Sequence, residues 1–448
     1  NGYAPAPTSW MTQMVVSDTD MTVVSGSQKT FKTTSPAATS TNNSQQYNQD
    51  FVDSSDNIYG SFTQASAGGV SGFNSVIFFK VDSSYSLIWR MMIHNSNQNS
   101  STSSWYPVTN GTYGICQFVY PSGAPGTYGK RLGLMRVDIS SSTPTWPQDW
   151  YYVTTTREAS YDPWSGLDGY KGNSDGTDIY MTASGYAAAV QGPLVAKWAG
   201  PAGALSKVWD QFPLTAMGGT LILQESCTNT SGDTTICGYR SSGNPYPTWM
   251  IQYDDAGSIN WQREWVHGTT GSYQWPTGGL RTDSSGNIYW FGTWTDTSDS
   301  GSYPNRMCLM KIDSSGNKVW IASATQTVGG ANMSFQAMDM ILSSDGGIIV
   351  SGYGTSSGIK QNFFMKLADT ENPDGKSGTV DNTVDEWTFT WSDQTSVFTE
   401  STPTHTTGAW AYYASSTSTT GMNYDNQSTT GTPTYTALTS TDTTAGAF

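Results

Sequence analysis

Charge is scarce in this chain of 448 residues: Lys, Arg, Asp and Glu make up 12%, against about 25% in an ordinary soluble domain. Basic charge is scarcer still, with 20 Lys and Arg against 35 Asp and Glu, a net charge of −15. A nucleic-acid binder needs a basic face to displace counterions from phosphate, so no nucleic-acid partner is expected. The same deficit disfavours docking on anionic lipid. Long apolar runs are missing too. The best, such as residues 75–81, are strand-sized and far below the ~18 residues of a membrane helix, so no membrane span is expected. Because the first residue is Asn1, removal of a leader stays open.

Four cysteines cannot be the main staple of a chain this long. Cys227 and Cys237 flank a Ser-Gly-Asp turn, which allows either a disulfide between two strand ends or two half-buried thiols. Histidine is nearly absent. His94, His267 and His405 show no metal spacing and sit in no nucleophile motif, so neither a catalytic triad nor a metal site is expected of them. What the chain does have is 18 Trp, 25 Tyr and 47 Gly. So many aromatics argue against disorder, and so many glycines describe short strands joined by many turns.

The strands repeat. Trp89, Trp146, Trp209, Trp261 and Trp320 fall 52–63 residues apart, and each closes a similar phrase. The clearest copies are FFKVDSSYSLIW (78–89), MIQYDDAGSINW (250–261) and LMKIDSSGNKVW (309–320). Looser ones are LMRVD (134–138) and VAKW (195–198), and FFMKL (363–367) has no closing Trp. Apolar alternation makes a strand, Asp-Ser-Ser-Gly makes an Asx-type turn, and a second strand ends in Trp. A second phrase lies upstream, as DSSDNIY (53–59), DSSGNIY (283–289) and SDGGIIVSG (344–352), with weaker forms at 175–180 and 232–238. Together they predict a four-stranded meander of roughly 55–60 residues, slightly longer than a common propeller blade.

Six such units can be read between about residues 45 and 367. A seventh could be split between the chain ends, with residues 14–26 supplying two strands and Glu386 to Trp391 their partners. The expected fold is therefore an all-β, seven-bladed β-propeller of four-stranded antiparallel blades over residues 1–400, with six blades as the competing count. Residues 401–448 are rich in Thr, Ser and Gly with spaced aromatics. They read as extended strands that add to a sheet edge or partner, or as a stalk.

These phrases resemble the bacterial and phage β-propeller repeat family, whose units run D-x-x-G-N-[IV]-Y followed by K-[LIV]-D-x-x-G-x-x-x-W. The resemblance spans most of the chain and departs at residues 198–203, where the turn Asp is absent, and at both ends. It implies a fold, because family members serve as surface, secreted or virion-associated modules without a common catalytic site. On that footing the expected role is an extracellular or virion structural and adhesive component, such as a phage tail or capsid decoration. Its expected partners are other virion or surface-assembly proteins, or itself through residues 401–448. A secreted cell-surface or filament protein is one alternative. A propeller enzyme, either a quinone-dependent dehydrogenase or a glycosidase, is another. No cofactor and no metal are expected.

One insertion stands out, residues 150–171, in the longest gap of the Trp series. Trp150, Tyr161, Trp164 and Tyr170 beside Asp162 and Asp168 suit stacking on sugar rings while accepting hydroxyl hydrogens. They form the candidate glycan site. The competing reading is that these rings clamp a long connection to the sheets. The repeated Lys80, Arg136, Lys197, Lys311 and Lys366 read as snorkelling surface residues.

Overall fold

The computed structural model describes thirty-four strands and the turns joining many of them. Side chains are described within residues 52–60, 79–89, 178–182, 192–199, 206–213, 219–241, 246–266, 278–294, 305–327, 335–354, 364–377 and 388–403. The described residues contain no helix, and every strand pairing among them is antiparallel. The chain divides into two compact units. One takes in Val24–Phe212 and Gly408–Thr439, the other Pro213–Thr407.

Six open sheets follow the sequence repeats, and we number them in chain order. In the first unit, the first sheet is Tyr47–Val52, Ile58–Ala65, Asn74–Val81 and Leu87–Asn95. The second is Ser101–Pro107, Tyr113–Ser122, Gly129–Asp138 and Thr145–Thr154. The third is Gly169–Ser174, Ile179–Ala187, Val190–Ala199 and Ser206–Gln211. In the second unit, the fourth sheet is Leu221–Thr228, Thr234–Arg240, Thr248–Tyr253 and Ile259–His267. The fifth starts with two short pieces, Gln274–Trp275 and Leu280–Thr282, then Ile288–Thr295, Asn305–Ile312 and Lys318–Val328. The sixth has three strands, Ser334–Leu342, Ile348–Ser356 and Ile359–Leu367. It lacks a fourth strand where the sequence lacks the closing Trp.

The turns explain why these residues make hairpins. The N–H of Asp53, Asp254, Asp283 and Asp313 donates to the carbonyl four residues on, and the fourth residue's N–H donates back to the Asp carbonyl. Asn229 and Ser343 hold the same place in the fourth and sixth sheets. The fourth residue has positive φ at Asp56, Gly232, Gly257, Gly286, Gly316 and Gly346. Glycine meets that demand without a Cβ penalty. The carboxylate then satisfies the turn's exposed N–H groups: Asp283 Oδ1 accepts from the N–H of Ser285 and Asn287, each at 2.9 Å.

Register brings three side chains ending in Trp into line across four of the six repeats. Tyr59 lies opposite Lys80 and Lys80 opposite Trp89. Tyr180–Lys197–Trp209 and Tyr289–Lys311–Trp320 repeat the ladder, and Thr235–Gln252–Trp261 replaces it in the fourth sheet. The lysines therefore do more than snorkel. Their ammonium groups sit over the tyrosine rings at 4.9, 5.4 and 5.3 Å, an attraction worth about 0.5–2 kcal/mol. Lys197 is buried and paired with Asp178 at 2.9 Å.

In the second unit the sheets stack in a consistent sense. The ladder face of the fourth sheet, with Cys237, Met250 and Trp261, shares a core with Ile288, Trp290, Cys308 and Met310 of the fifth. The ladder face of the fifth, with Tyr289, Phe291, Leu309 and Trp320, packs on Phe335, Met340, Val350 and Met365 of the sixth. The fifth sheet thus buries one face on the fourth and the other on the sixth.

The strand Glu386–Asp393 pairs with Lys318–Val328 and with Ser377–Asp381, while Trp10–Met14 pairs with Lys29–Thr33. Residues 15–28, most of the N-terminal half of the seventh unit expected of the chain ends, lie outside the described residues. Glu386–Asp393 satisfies the unpaired backbone groups at the outer edge of the fifth sheet.

The later strands continue that course, one sheet at a time. Phe398–Ser401 pairs with Ile259–His267 of the fourth sheet, and His405–Thr407 with Pro213–Thr215. Tyr412–Ala414 then pairs with Thr145–Thr154 of the second sheet, and Met422–Asp425 with Leu87–Asn95 of the first. The C-terminal segment visits the repeats in reverse order and adds an outer strand to four of the six sheets. The extended strands expected after residue 400 are present in part, and the edges they meet belong to the same chain.

Candidate functional site

Among the described residues, a side-chain constellation at the edge of the core shared by the fourth and fifth sheets forms a groove that receives Phe398 to Glu400. The ring of Phe398 is buried and meets Trp294 edge-on, with centroids 6.5 Å apart. Two residues on, and so on the same face of the strand, Glu400 is clamped at both oxygens. Trp265 Nε1 donates to Oε2 and Arg263 Nε to Oε1, each at 3.1 Å. Lys318 Nζ donates to the carbonyls of Thr395 at 2.6 Å and Phe398 at 2.8 Å. The Ile321 N–H donates to Thr395 Oγ1 at 2.9 Å. This arrangement binds an extended segment by an aromatic anchor, a carboxylate and a backbone ladder. It is built for recognition of a strand.

Among the described ion pairs elsewhere in the second unit, two involve arginine. Arg240 meets Glu264 through both forks, Nε to Oε1 at 3.0 Å and Nη2 to Oε2 at 3.3 Å, with the Glu264 side chain 1% exposed. A buried bidentate pair fixes register, because removing one partner strands the other charge. On the first strands, Arg281 pairs with Asp339 at 2.8 Å and so links the fifth and sixth sheets.

The carboxylates of Asp53, Asp283 and Asp313 hold their protons weakly. Burial pushes Asp283 upward, but hydrogen bonds from Asn287, Ser285 and Tyr289 outweigh it and hold it below the usual carboxylate value. Asp53 and Asp313 behave alike for the same reason. Such groups are acceptors engaged in holding a turn. The thiols move the other way. Burial pushes Cys227 up to about 11 and raises Cys308 further, so neither supplies a thiolate nucleophile near neutral pH.

Cys227 and Cys237 are buried thiols that are not joined in a disulfide. Cys227 faces Thr235 and Cys237 faces Glu225, so the two are diagonal neighbours across the ladder. Diagonal positions lie about 7–8 Å apart, beyond the reach of an unstrained bridge. The Cys227 thiol meets Thr282 Oγ1 at 3.1 Å instead.

The candidate glycan residues are only partly placed. Trp150 lies on the strand Thr145–Thr154 opposite Met135, and Tyr170 on Gly169–Ser174 opposite Thr182. Both therefore belong to repeat sheets and not to an inserted loop. Their side chains, and the whole of Tyr161, Asp162, Trp164 and Asp168, lie outside the described residues. His94, His267 and His405 are on strands, and their side chains also lie outside them.

Among the described residues no cluster of three or more His, Cys, Asp or Glu is placed to hold a metal ion. None of their helices is long and apolar enough to cross a membrane, since they contain none. The groove itself was missed in sequence. Phe398-Thr399-Glu400 carries a signal, an aromatic and a carboxylate spaced for one strand face, but nothing in it says which edge it meets. No family model matches the chain, and no curated protein matches it.

Proposed function

We propose that the chain is a β-propeller whose six repeat sheets are blades, serving as a structural and adhesive component outside a cytoplasm. The setting that fits best is a phage virion, as a tail or capsid decoration. The observation that carries the fold is the stacking in the second unit, where the ladder faces of the fourth and fifth sheets each pack on the opposite face of the next. Repetition of that interface is what arranges blades around an axis. The six-blade count is favoured over seven because six sheets follow the repeats and Glu386–Asp393, expected to help form a seventh, pairs with the fifth.

The role rests on the resemblance of the repeats to surface and virion propellers, together with the low charge and the reinforced sheet edges. A tail that covers successive outer edges removes the exposed templates through which sheets aggregate. That suits a protein packed at high density among copies and partners. Electron microscopy and protein mass spectrometry of native particles and of the spent medium test the setting. Enrichment with purified virions supports the proposal. Recovery only as free protein or as a filament contradicts it.

A further inference from the structure

We propose that the groove of Arg263, Trp265, Trp294 and Lys318 is an assembly site that accepts the Phe398–Ser401 strand of a second copy of this chain. The proposal depends on the sheet edges and not on ring closure or on a virion setting.

Three observations lead to it. First, the tail is separable. The strand Ile259–His267 already closes a four-stranded meander through its other edge, so the departure of Phe398–Ser401 breaks no repeat sheet. The same holds for Leu87–Asn95 and Thr145–Thr154, which receive Met422–Asp425 and Tyr412–Ala414. Second, each docking is short. Phe398–Ser401 has four residues and only Phe398 among them is buried. Few buried contacts and exposed backbone bonds place such a segment at the low-stability end of a fold. Third, the docking is coded. Phe398 in its aromatic pocket and Glu400 between Arg263 and Trp265 fix one register and one direction. A strand arriving from another molecule meets the same anchors and lands in the same place.

The exchange exploits an identity. Every bond made within the chain is available between chains, so the balance follows concentration and the geometry of the hinge. The hinge is the turn Gln394 to Val397, where the Val397 N–H donates to the Gln394 carbonyl. Copies packed side by side reach local concentrations comparable to the roughly millimolar effective concentration of a tethered strand. Exchange then links neighbours without a new interface.

Cross-linking of full-length chains tests this. Val266 and Thr399 face each other across the pairing, so cysteines at these positions meet when the strand is docked. The double variant Val266→Cys/Thr399→Cys at low concentration should form an internal bridge under a mild thiol oxidant and stay monomeric. The single variants Val266→Cys and Thr399→Cys, mixed at high concentration, should give a mixed disulfide dimer that neither gives alone and the parent does not. Adding Phe398→Ala to the Thr399→Cys chain should lower the dimer yield about tenfold, the loss of one anchor worth about 1.4 kcal/mol. If the double variant bridges fully but mixed singles give no dimer, exchange is overturned while the fold stands. If the double variant fails to bridge, the groove itself is wrong and the proposal falls with it.

Discussion

The fifth and sixth sheets carry nearly the same sequence phrases, yet one is complete and the other is not. In the fifth, Trp320 lies over Lys311 and closes a buried ladder that begins at Tyr289. In the sixth, Ile349 and Lys366 hold the first two places and no third strand follows within the sheet. The face left behind exposes Phe364 at 61% and Ile341 at 47%. Lys366, with no Trp above it, pairs with Asp345, and that contact holds the carboxyl down at about 2. The closing Trp strand is therefore what converts a turn-forming phrase into a sheet buried on both faces.

Removing that strand's ring should have the largest effect. Trp320→Ala takes a nearly fully buried indole from the core shared by the fifth and sixth sheets. A loss of about 3–5 kcal/mol is expected by chemical denaturation, the range for a large aromatic truncated in a core. The paired substitution Phe364→Ser, on the exposed face, should stay within about 0.5 kcal/mol. Equal effects would dissolve the contrast.

The turns sharpen it next. Gly316 in the fifth sheet has φ +83°, and a Cβ there would lie 2.5 Å from the Trp261 ring. Gly346 in the sixth has φ +91° with open space around it. Gly346→Ala should cost about 1–2 kcal/mol, the strain of a left-handed L-residue alone. Gly316→Ala should cost at least about 1 kcal/mol more, because overpacking adds to the strain. Melting of the two variants side by side measures the difference.

The smallest effect is a pH effect. Asp283→Asn keeps a side-chain oxygen in the turn, as Asn229 does in the fourth sheet, but it loses the charge. A cost of about 1 kcal/mol at neutral pH is expected. The folded Asp283 is held below its ordinary value of 3.8, so its contribution is complete above that pH and fades as pH falls through the lower folded value. The stability gap between parent and variant should therefore close on acidification, with most of the change below pH about 4. A gap that widened in acid would assign the carboxylate the wrong role.

Much of this fold can be read from the chain because its turns are coded locally. Asp and the positive-φ Gly sit three residues apart, and the strands on either side alternate. The strand content of the six repeats, including the missing strand of the sixth, follows from those phrases. The lysine ladder is less legible. Lys80 and Lys311 meet Tyr and Trp only through register, and each strand by itself shows an isolated cation. The tail is least legible of all. A strand as short as Tyr412–Ala414 pairs with an edge about 260 residues earlier, and nothing in three residues of sequence names that edge. The groove for Phe398 is assembled from residues 263, 265, 294 and 318, far apart in the chain, so no motif announces it.

Single-particle electron cryo-microscopy of the full-length protein tests the central proposal, that these repeats are blades with edges strapped by their own C-terminal segment. The account predicts a ring of six sheets around one axis, with an added outer strand on the first, second, fourth and fifth. A map in which the sheets form an open stack, or in which density for residues 398–425 leaves those edges bare, would contradict it.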